Sequence, residues 1–204
     1  MRIVKPSAEL LAITPDAEQL IERCGRVCYK SEDRITDESA AGFIQAIIRN
    51  GHHSVLEHAA ATILFVCDRG VTHELVRHRL ASYSQESTRY CNYGKGKFGG
   101  EISVIQPPSI AGDELSCWMN ACEVIESEYL TLTARGVLPQ IARSLLPNCL
   151  KTEIATTANL REWRHILTLR LAPAAHPQIR VVMQQAARLL VGQCPNVFAE
   201  FERD

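Results

Sequence analysis

Residues 77–90, with the sequence RHRLASYSQESTRY, hold the densest group of side chains that could bind anions. Three arginines, a histidine, three serines, a threonine and two tyrosines occur in this segment. Arginine offers a planar fork of donors that matches phosphate or carboxylate, and hydroxyl groups add further donors. On a helix, Arg77 and Arg79 would lie ~200° apart and face different sides. We therefore expect two anion sites here. The alternative is a solvated basic helix end followed by an ordinary loop.

A second candidate is an arginine on an apolar helix face. Trp163, Ile166 and Leu167 form a stripe in the segment after Asn159, and Arg170 follows Trp163 by seven residues. This spacing is two helical turns, so Arg170 falls on the same stripe. An arginine on a buried face needs a partner, because removing one member of a buried ion pair costs about 3–5 kcal/mol. Arg170 could instead lie at the helix end and extend into solvent.

Two histidine segments resemble metal motifs but have the wrong spacing. In HELVRH, His73 and His78 are five residues apart. They would lie ~140° apart on a helix and could not share one face as metal ligands. HSVLEH, residues 53–58, fails in a similar way, and we predict no metal site. The chain also contains no G-x-G-x-x-G or G-x-x-x-x-G-K-[ST] motif. Any nucleotide must therefore be held by side chains and helix ends rather than by a Rossmann turn.

Composition restricts the class of protein. The 204 residues fit one domain, and a net charge of −1 argues against a general nucleic-acid coat. No run approaches ~18 apolar residues, so no membrane span is expected. The N-terminal residues do not have the pattern of a signal peptide. The eight cysteines form no C-x-x-C pair, and we predict reduced core thiols in a cytoplasmic protein.

The expected elements follow from apolar periodicity and from helix start and stop signals. Helices are predicted over 16–29, 36–50, 69–80, 113–134 and 160–171, from 177 onwards, and more briefly between 139 and 147. Strands are predicted within 1–13 and over 59–67, 101–108 and 151–159. Ser54 is a candidate N-cap of a helical stub, Asn159 caps the next helix, and residues 82–88 are expected to form a loop. This mixture predicts a single-domain α+β fold with helices on an antiparallel-type sheet, not a Rossmann fold.

Arg77-His78-Arg79, seven further residues, and then Ser87-Thr88-Arg89 resemble the R-H-R and S-x-R motif of the flavin-dependent thymidylate synthases. The resemblance extends along nearly the whole chain. It includes GRVCY at 25–29, GHHSVLEH at 51–58, residues 142–170 (ARSLLPNCLKTEIATTANLREWRHILTLR) and CPNVF at 194–198.

The resemblance implies an enzyme that methylates dUMP to dTMP. It implies 5,10-methylenetetrahydrofolate as carbon donor, FAD as hydride carrier, NADPH as reductant of the flavin, and release of tetrahydrofolate. It also implies one domain over residues 1–204 and a homotetramer with sites where subunits meet. The competing hypothesis is a non-catalytic nucleotide-binding or RNA-binding module, whose RNA affinity would fall steeply with salt.

Carried over position by position, the resemblance implies two sets of binding residues. The FAD set is His52, Ser54, Arg77, His78, Arg79, Gln85, Asn159, Leu160, Arg161 and His165. The dUMP set is Glu74, Leu75, Val76, Arg77, Gln85, Glu86, Ser87, Thr88, Arg89, Arg143 and Arg170. Arg170 is the implied catalytic residue, which polarises the uracil ring without a protein thiol nucleophile. Glu74, Gln85 and His165 stand where relatives can carry Gln, Glu and Asn, so their donor and acceptor roles stay open.

Overall fold

The structure is a computed structural model that describes residues 1–202, and the chain forms two compact units. Unit 1 comprises residues 1–7, 66–75 and 84–154. Unit 2 comprises residues 8–65, 76–83 and 155 onwards. Each unit is assembled from separate stretches of chain, so its core depends on contacts between residues that are distant in sequence.

Six strands form two sheets within the described residues. They are β1 Arg2–Ile3, β2 Ser7–Ile13, β3 Ala60–Asp68, β4 Ala81–Gln85, β5 Ser103–Val104 and β6 Lys151–Asn159. The larger sheet has the order β2-β3-β6-β4, and β1 pairs with β5 in parallel. Leu160 N donates to Ala59 O at one end of the β3–β6 pair. Arg69 N donates to Leu150 O at the other end, so these two strands are antiparallel.

The helices are named here in chain order. They are α1 Ala17–Val27, α2 Ser39–Arg49, α3 Arg69–Leu75, α4 Gly112–Ala134, α5 Pro139–Ala142, α6 Leu160–Arg170, α7 Pro177–Gln193 and α8 Pro195–Phe198. Short 3-10 turns include His53–His58 and Arg143–Leu145. No helix within residues 1–202 combines the length and the apolar character needed to cross a bilayer.

Helix α6 is anchored firmly in unit 2. The side chain of Asn159 accepts a hydrogen bond from Glu162 N at 2.8 Å, which confirms the predicted N-cap. Trp163 is fully buried, and its Nε1 donates to Ala61 O at 3.0 Å. Ile166 and Leu167 are fully buried as well, so the predicted apolar stripe is confirmed. Truncating an aromatic anchor of this kind to alanine typically costs 3–5 kcal/mol, which is a rough measure of how strongly α6 is held.

Unit 1 has its own apolar cluster around α4. It consists of Tyr93, Ile102, Val104, Cys122, Tyr129, Ala142 and Leu150. Cys122 and Tyr129 lie seven residues apart on α4, two helical turns on one face. This cluster therefore fixes α4 and α5 beside the start of β6.

The helix predicted over residues 69–80 ends at Leu75, five residues early. It ends where the chain passes from unit 1 to unit 2. The His78 carbonyl accepts a hydrogen bond from Tyr83 Oη at 2.8 Å, whereas in a helix it would accept one from a backbone N–H. The ~200° helical angle between Arg77 and Arg79 therefore does not apply.

Residues 82–88, predicted as a loop, contain most of strand β4. The side chains from Ala81 to Gln85 alternate between partly buried and exposed. β4 is the last strand in the sheet order, and an edge strand tolerates polar side chains better than a central one. The serines and the glutamine of this segment are typical of a loop. The sequence did not reveal that the segment forms an edge strand, where such residues are tolerated.

Several smaller predictions are also wrong. Ser54 lies within the 3-10 turn and is not its N-cap. The strand predicted over 101–108 is limited to β5, and the helix between Pro139 and Pro147 breaks after Ala142 into the Arg143–Leu145 turn. The strand predicted over 59–67 is present as β3, whose side chains alternate between buried and partly buried.

The cysteines are all free thiols, but not all lie in the core. Cys67, Cys122 and Cys194 are buried as predicted. Cys28 and Cys117 are exposed, so the core prediction is wrong for these two. Cys28 immediately follows the end of α1, and Cys117 lies on a solvent-facing position of α4.

Candidate active site

A chain of three polar side chains forms the centre of the candidate site in unit 2. His78 is only 5% exposed. Arg170 Nε donates to His78 Nε2 at 3.0 Å. On the opposite side of the ring, Glu162 Oε1 lies 3.6 Å from His78 Nδ1. The ring of His165 meets His78 edge to face, with 5.7 Å between centroids.

The contacts determine the protonation state of His78. Burial, followed by the positive charge of Arg170 and then by His165, lowers the pKa of His78 from 6.5 to about 4. The ring is therefore neutral at physiological pH, and its approach to Glu162 is not an ion pair. An arginine Nε can only donate, so Nε2 of His78 must accept. We infer that the ring proton resides on Nδ1, facing Glu162.

Tyr83 supports the main chain of the Arg77-His78-Arg79 segment. Its hydroxyl donates to the carbonyl of His78 at 2.8 Å. Burial and the nearby Glu162 raise the pKa of Tyr83 to about 12. The phenol is thus protonated at neutral pH and acts as a fixed donor rather than as a base.

These residues open into a cleft of about 520 Å³, within the size range of ligand sites. We call it the His78 cleft; it is lined by Arg77, His78, Arg79, Leu80, Glu162, His165, Leu169 and Arg170. Leu80 and Leu169 are 76% and 46% exposed, so the cleft combines guanidinium donors with accessible apolar surface. A dinucleotide with phosphates and a flat apolar ring system needs both kinds of surface, and the residues therefore fit FAD.

A second cleft in unit 2 shares part of this lining. We call it the α6 cleft; its residues are His53, Glu57, Leu80, Asn159, Arg161, Glu162, Arg164, His165, Thr168 and Glu200. Among the predicted FAD residues, Asn159, Arg161 and His165 lie here. Arg161 pairs with Glu57 at 2.6 Å, and both side chains are about half exposed. A ligand phosphate could therefore compete for Arg161 with little loss, because exposed ion pairs contribute ~0–1 kcal/mol.

His78, Glu162 and His165 could also be considered as metal ligands, since their donor atoms lie within 4.8 Å of one another. A metal-bound histidine usually donates its other ring N–H to an acceptor. Arg170 instead donates to Nε2 of His78. Binding a metal through Nδ1 would then require the ring to lose both protons, and the three arginines of the His78 cleft would repel the ion. The donor set therefore does not suit a cation.

Unit 1 contains a separate basic pocket, which we call the Arg143 pocket. It is lined by Arg69, His73, Thr88, Gln140, Arg143, Ser144, Leu146, Pro147 and Asn148. Arg143 donates from Nη1 to Thr88 Oγ1 at 3.3 Å. Thr88 and Arg143 are members of the predicted dUMP set, and the pocket brings them together with cationic groups suited to a phosphate.

Gln85 and Glu86 are held by neighbouring side chains of unit 1. The Gln85 amide donates to Thr72 Oγ1 at 3.0 Å and to Thr152 Oγ1 at 3.3 Å. Glu86 accepts from the Tyr93 hydroxyl at 2.7 Å and pairs with Lys151 at 3.2 Å. Burial and this hydrogen bond raise the pKa of Tyr93. Both side chains are therefore oriented by β6 together with Thr72 of α3 and Tyr93.

The remaining predicted residues differ in what their side chains can reach. Leu75 and Leu160 are fully buried, so only their main-chain groups could contact a ligand. Arg89 is exposed and packs over the Tyr90 ring at 5.5 Å, and its N donates to Ser87 Oγ at 3.3 Å. The other members are His52, Ser54 and Val76, which are exposed, and Glu74, which is partly buried.

The site residues that sequence reasoning missed include Glu162, Tyr83, His53, Arg69 and His73. Three of these, Glu162, Arg69 and His73, had a detectable signal. Glu162 and His165 are three residues apart, and Arg69 and His73 four apart, so each pair shares a helix face. The contact between Tyr83 and the His78 carbonyl had no sequence signal, because it depends on a turn that the sequence did not predict.

Clefts lined by arginines, on an α+β scaffold without a Rossmann turn, are typical of a protein that binds a phosphate-bearing ligand through its side chains. The family model "Thymidylate synthase complementing protein" matches residues 9–196. A flavin-dependent thymidylate synthase of Mycolicibacterium vanbaalenii is 36% identical over 203 residues, covering 90% of this chain and 79% of that protein. One from Geobacter sulfurreducens is 34% identical, covering 94% and 84%.

Two solved structures are similar to this chain in fold. PolB from Streptomyces cacaoi, a UMP/dUMP methylase bound with 5-Br dUMP, matches with a TM-score of 0.83 and 25% identity. The match covers 98% of this chain and 96% of PolB. ThyX from Helicobacter pylori, solved with FAD and dUMP, matches with a TM-score of 0.81 at 19% identity over 98% of this chain and 100% of that chain, which supports the fold.

The chain belongs to the flavin-dependent thymidylate synthase family. Family membership confirms the enzyme class, a flavin-dependent methyltransferase, and the predicted conversion of dUMP to dTMP with FAD is the activity of this family. The predicted α+β fold with an antiparallel sheet is confirmed too.

Proposed function

We propose that this chain converts dUMP to dTMP with FAD, 5,10-methylenetetrahydrofolate and NADPH. The folate carbon and a hydride become the new methyl group, the C5 proton of uracil is lost, and tetrahydrofolate and NADP⁺ are released. The observation that carries the proposal is Arg170, held by a neutral His78 in a cleft that also contains Arg77 and Arg79. Family membership supports the same reaction.

We assign FAD binding mainly to unit 2. Arg77 and Arg79 would bind its phosphates, and Leu80 and Leu169 would contact apolar ring surface. The full proposed set is His52, Ser54, Arg77, His78, Arg79, Gln85, Asn159, Leu160, Arg161 and His165. FAD, when bound, supplies the hydride that NADPH provides.

Arg170 is the proposed catalytic residue. Its guanidinium is oriented by the hydrogen bond to His78 and lines the cleft. Negative charge develops on the N3/O2 edge of uracil when C5 becomes nucleophilic. A pre-oriented cation at that edge stabilises the transition state more than the ground state, which accelerates the step.

No protein thiol is assigned to the reaction. A nucleophilic cysteine must act as a thiolate. Burial raises the pKa of Cys67, Cys149 and Cys194 to about 12 in each case. These three thiols are protonated at neutral pH and are therefore poor nucleophiles, and we assign the activation of dUMP to Arg170 instead.

In unit 1, we assign the phosphate of dUMP to the Arg143 pocket. Arg143 and Thr88 would contact its oxygens directly, as a guanidinium and a hydroxyl can. The full proposed dUMP set is Glu74, Leu75, Val76, Arg77, Gln85, Glu86, Ser87, Thr88, Arg89, Arg143 and Arg170. We also propose a homotetramer with shared sites and a cytoplasmic location, which the eight free thiols support.

The purified protein, incubated with FAD and desalted, should keep the flavin absorbance bands. Anaerobic NADPH should bleach them, and addition of dUMP with methylenetetrahydrofolate should yield dTMP by chromatography and mass spectrometry. UMP is assayed beside dUMP, because the similar PolB is a UMP/dUMP methylase. Absence of retained flavin and of dTMP would contradict the proposal.

A further inference from the structure

We propose that Glu162 is a positioning residue that acts through His78 to orient Arg170. The inference rests on the proposed role of Arg170 in activating dUMP. Glu162, His78 and Arg170 form one continuous chain, with His78 as the link.

The first step is the fixed position of Glu162. Its side chain is nearly buried, and it occupies the first turn of α6. The Asn159 cap holds its backbone N–H, and the buried Trp163 next to it fixes the helix against β3. Glu162 therefore faces His78 with little freedom to move away.

The second step is the choice between the two neutral tautomers of His78. With the proton on Nδ1, the ring points its N–H at an acceptor-only carboxylate and its lone pair at the Arg170 donor. With the proton on Nε2, two donors would face each other across 3.0 Å, and Nδ1 would present a lone pair to a carboxylate. Both contacts favour the Nδ1–H tautomer, so Glu162 and Arg170 stabilise the same state of the ring.

The third step is the distance of 3.6 Å between Glu162 Oε1 and His78 Nδ1. It is slightly longer than a hydrogen bond, so the interaction in this structure is an electrostatic contact. A carboxylate that faces Nδ1–H makes Nε2 a stronger acceptor, which holds the Arg170 guanidinium more rigidly.

Two substitutions of Glu162 separate charge from shape. Glu162→Gln keeps the length of the side chain but can donate to Nδ1, which favours the Nε2–H tautomer and releases Arg170. Glu162→Asp keeps an acceptor-only carboxylate but is shorter. If Glu162 positions Arg170 through the tautomer, Asp should retain more kcat than Gln. If Glu162 only fills space, Gln should retain more than Asp.

We expect Glu162→Gln to lower kcat roughly 10- to 100-fold, with a smaller change in KM for dUMP, because the change of tautomer breaks the charge-assisted hydrogen bond from Arg170 to His78. Glu128→Gln and Glu128→Asp, at an exposed position of α4, serve as matched controls and should change neither parameter. FAD content and the unfolding midpoint are measured for every variant, so that loss of fold is separated from loss of orientation.

A spectroscopic readout makes the test independent of turnover. In protein labelled with ¹⁵N-histidine, the two-bond correlation pattern of His78, assigned by its loss in His78→Asn, distinguishes the tautomers. The unsubstituted chain and Glu162→Asp should show Nδ1–H, and Glu162→Gln should show a shift toward Nε2–H. An Nδ1–H pattern in all three, or a Gln variant more active than Asp, would overturn the inference. If the unsubstituted chain shows the Nδ1–H pattern but makes no dTMP, the proposed function fails while the positioning of Arg170 stands.

Discussion

Replacing Arg170 with alanine tests the central assignment of the proposed mechanism. Arg170 lines the His78 cleft and donates from Nε to His78 at 3.0 Å. If its guanidinium stabilises charge that develops on uracil, its removal should lower kcat by about 10²–10³, as removal of one donor to a developing oxyanion does. FAD content should change little, because Arg77 and Arg79 remain in the cleft.

The same substitution has two consequences for His78. It leaves a buried acceptor without its donor, which should lower the free energy of unfolding by about 1–3 kcal/mol. It also removes the Arg170 charge, which is the second cause of the lowered pKa of His78 after burial. The pKa of His78 should therefore rise above about 4 but stay below its ordinary value, since burial persists.

The assay combines anaerobic single turnover, flavin absorbance, denaturant unfolding and an NMR titration of His78. Arg188→Ala, at an exposed position of α7, is the matched control. It should give the same turnover, flavin absorbance, unfolding curve and His78 titration as the unsubstituted chain. Equal loss of bound FAD and of dTMP formation would move Arg170 from substrate activation to the flavin site. An unchanged kcat would remove Arg170 from the chemistry altogether.

Three further predictions concern pH, substrate binding and the thiols. Burial, Arg170 and His165 lower the folded-state pKa of His78 from 6.5 to about 4, although Glu162 lies on the other side of the ring. The unfolded chain therefore binds the proton first as pH falls, and up to about 3 kcal/mol of stability should be lost between these two pKa values. Denaturation series at several pH values measure this loss of stability, which should be smaller in His78→Gln. An equal loss in His78→Gln would show that His78 is not the group responsible. Arg143→Ala should raise the KM for dUMP by about tenfold or more and leave FAD content unchanged, since it removes a charge-assisted bond to phosphate; steady-state kinetics with an unchanged KM would place the phosphate elsewhere. Cys67→Ala should lower stability by about 1 kcal/mol and preserve dTMP formation, whereas inactivity with fold and FAD intact would require a thiol in the mechanism.

The elements that the sequence predicted well carry their own local signals. Asn159 caps α6 as expected, and the stripe from Trp163 is buried as expected. α4 spans residues 112–134, one residue from its predicted start. Side-chain caps and helical periodicity act over three to seven residues, so they can be read without knowing the tertiary structure.

The elements that were predicted wrongly depend on distant neighbours. Residues 76–80 continue a helical pattern, but they belong to unit 2 while α3 belongs to unit 1. β4 looks like a loop by composition, and only its edge position beside β6 explains why polar residues form a strand there. In both cases tertiary contacts outweigh local propensity.

The sequence by itself determined the family, through the Arg77–Arg89 motif and the matching C-terminal half, and it determined which side chains are available to bind anions. Only the tertiary structure decided the states of those side chains. His78 is neutral because folding buries it beside Arg170, a residue 92 positions away in sequence. The same folding places Glu162 on the other side of the ring. Desolvation and the direction of nearby charges set the pKa and the tautomer of a histidine, and both depend on the packing of residues that are remote in the chain.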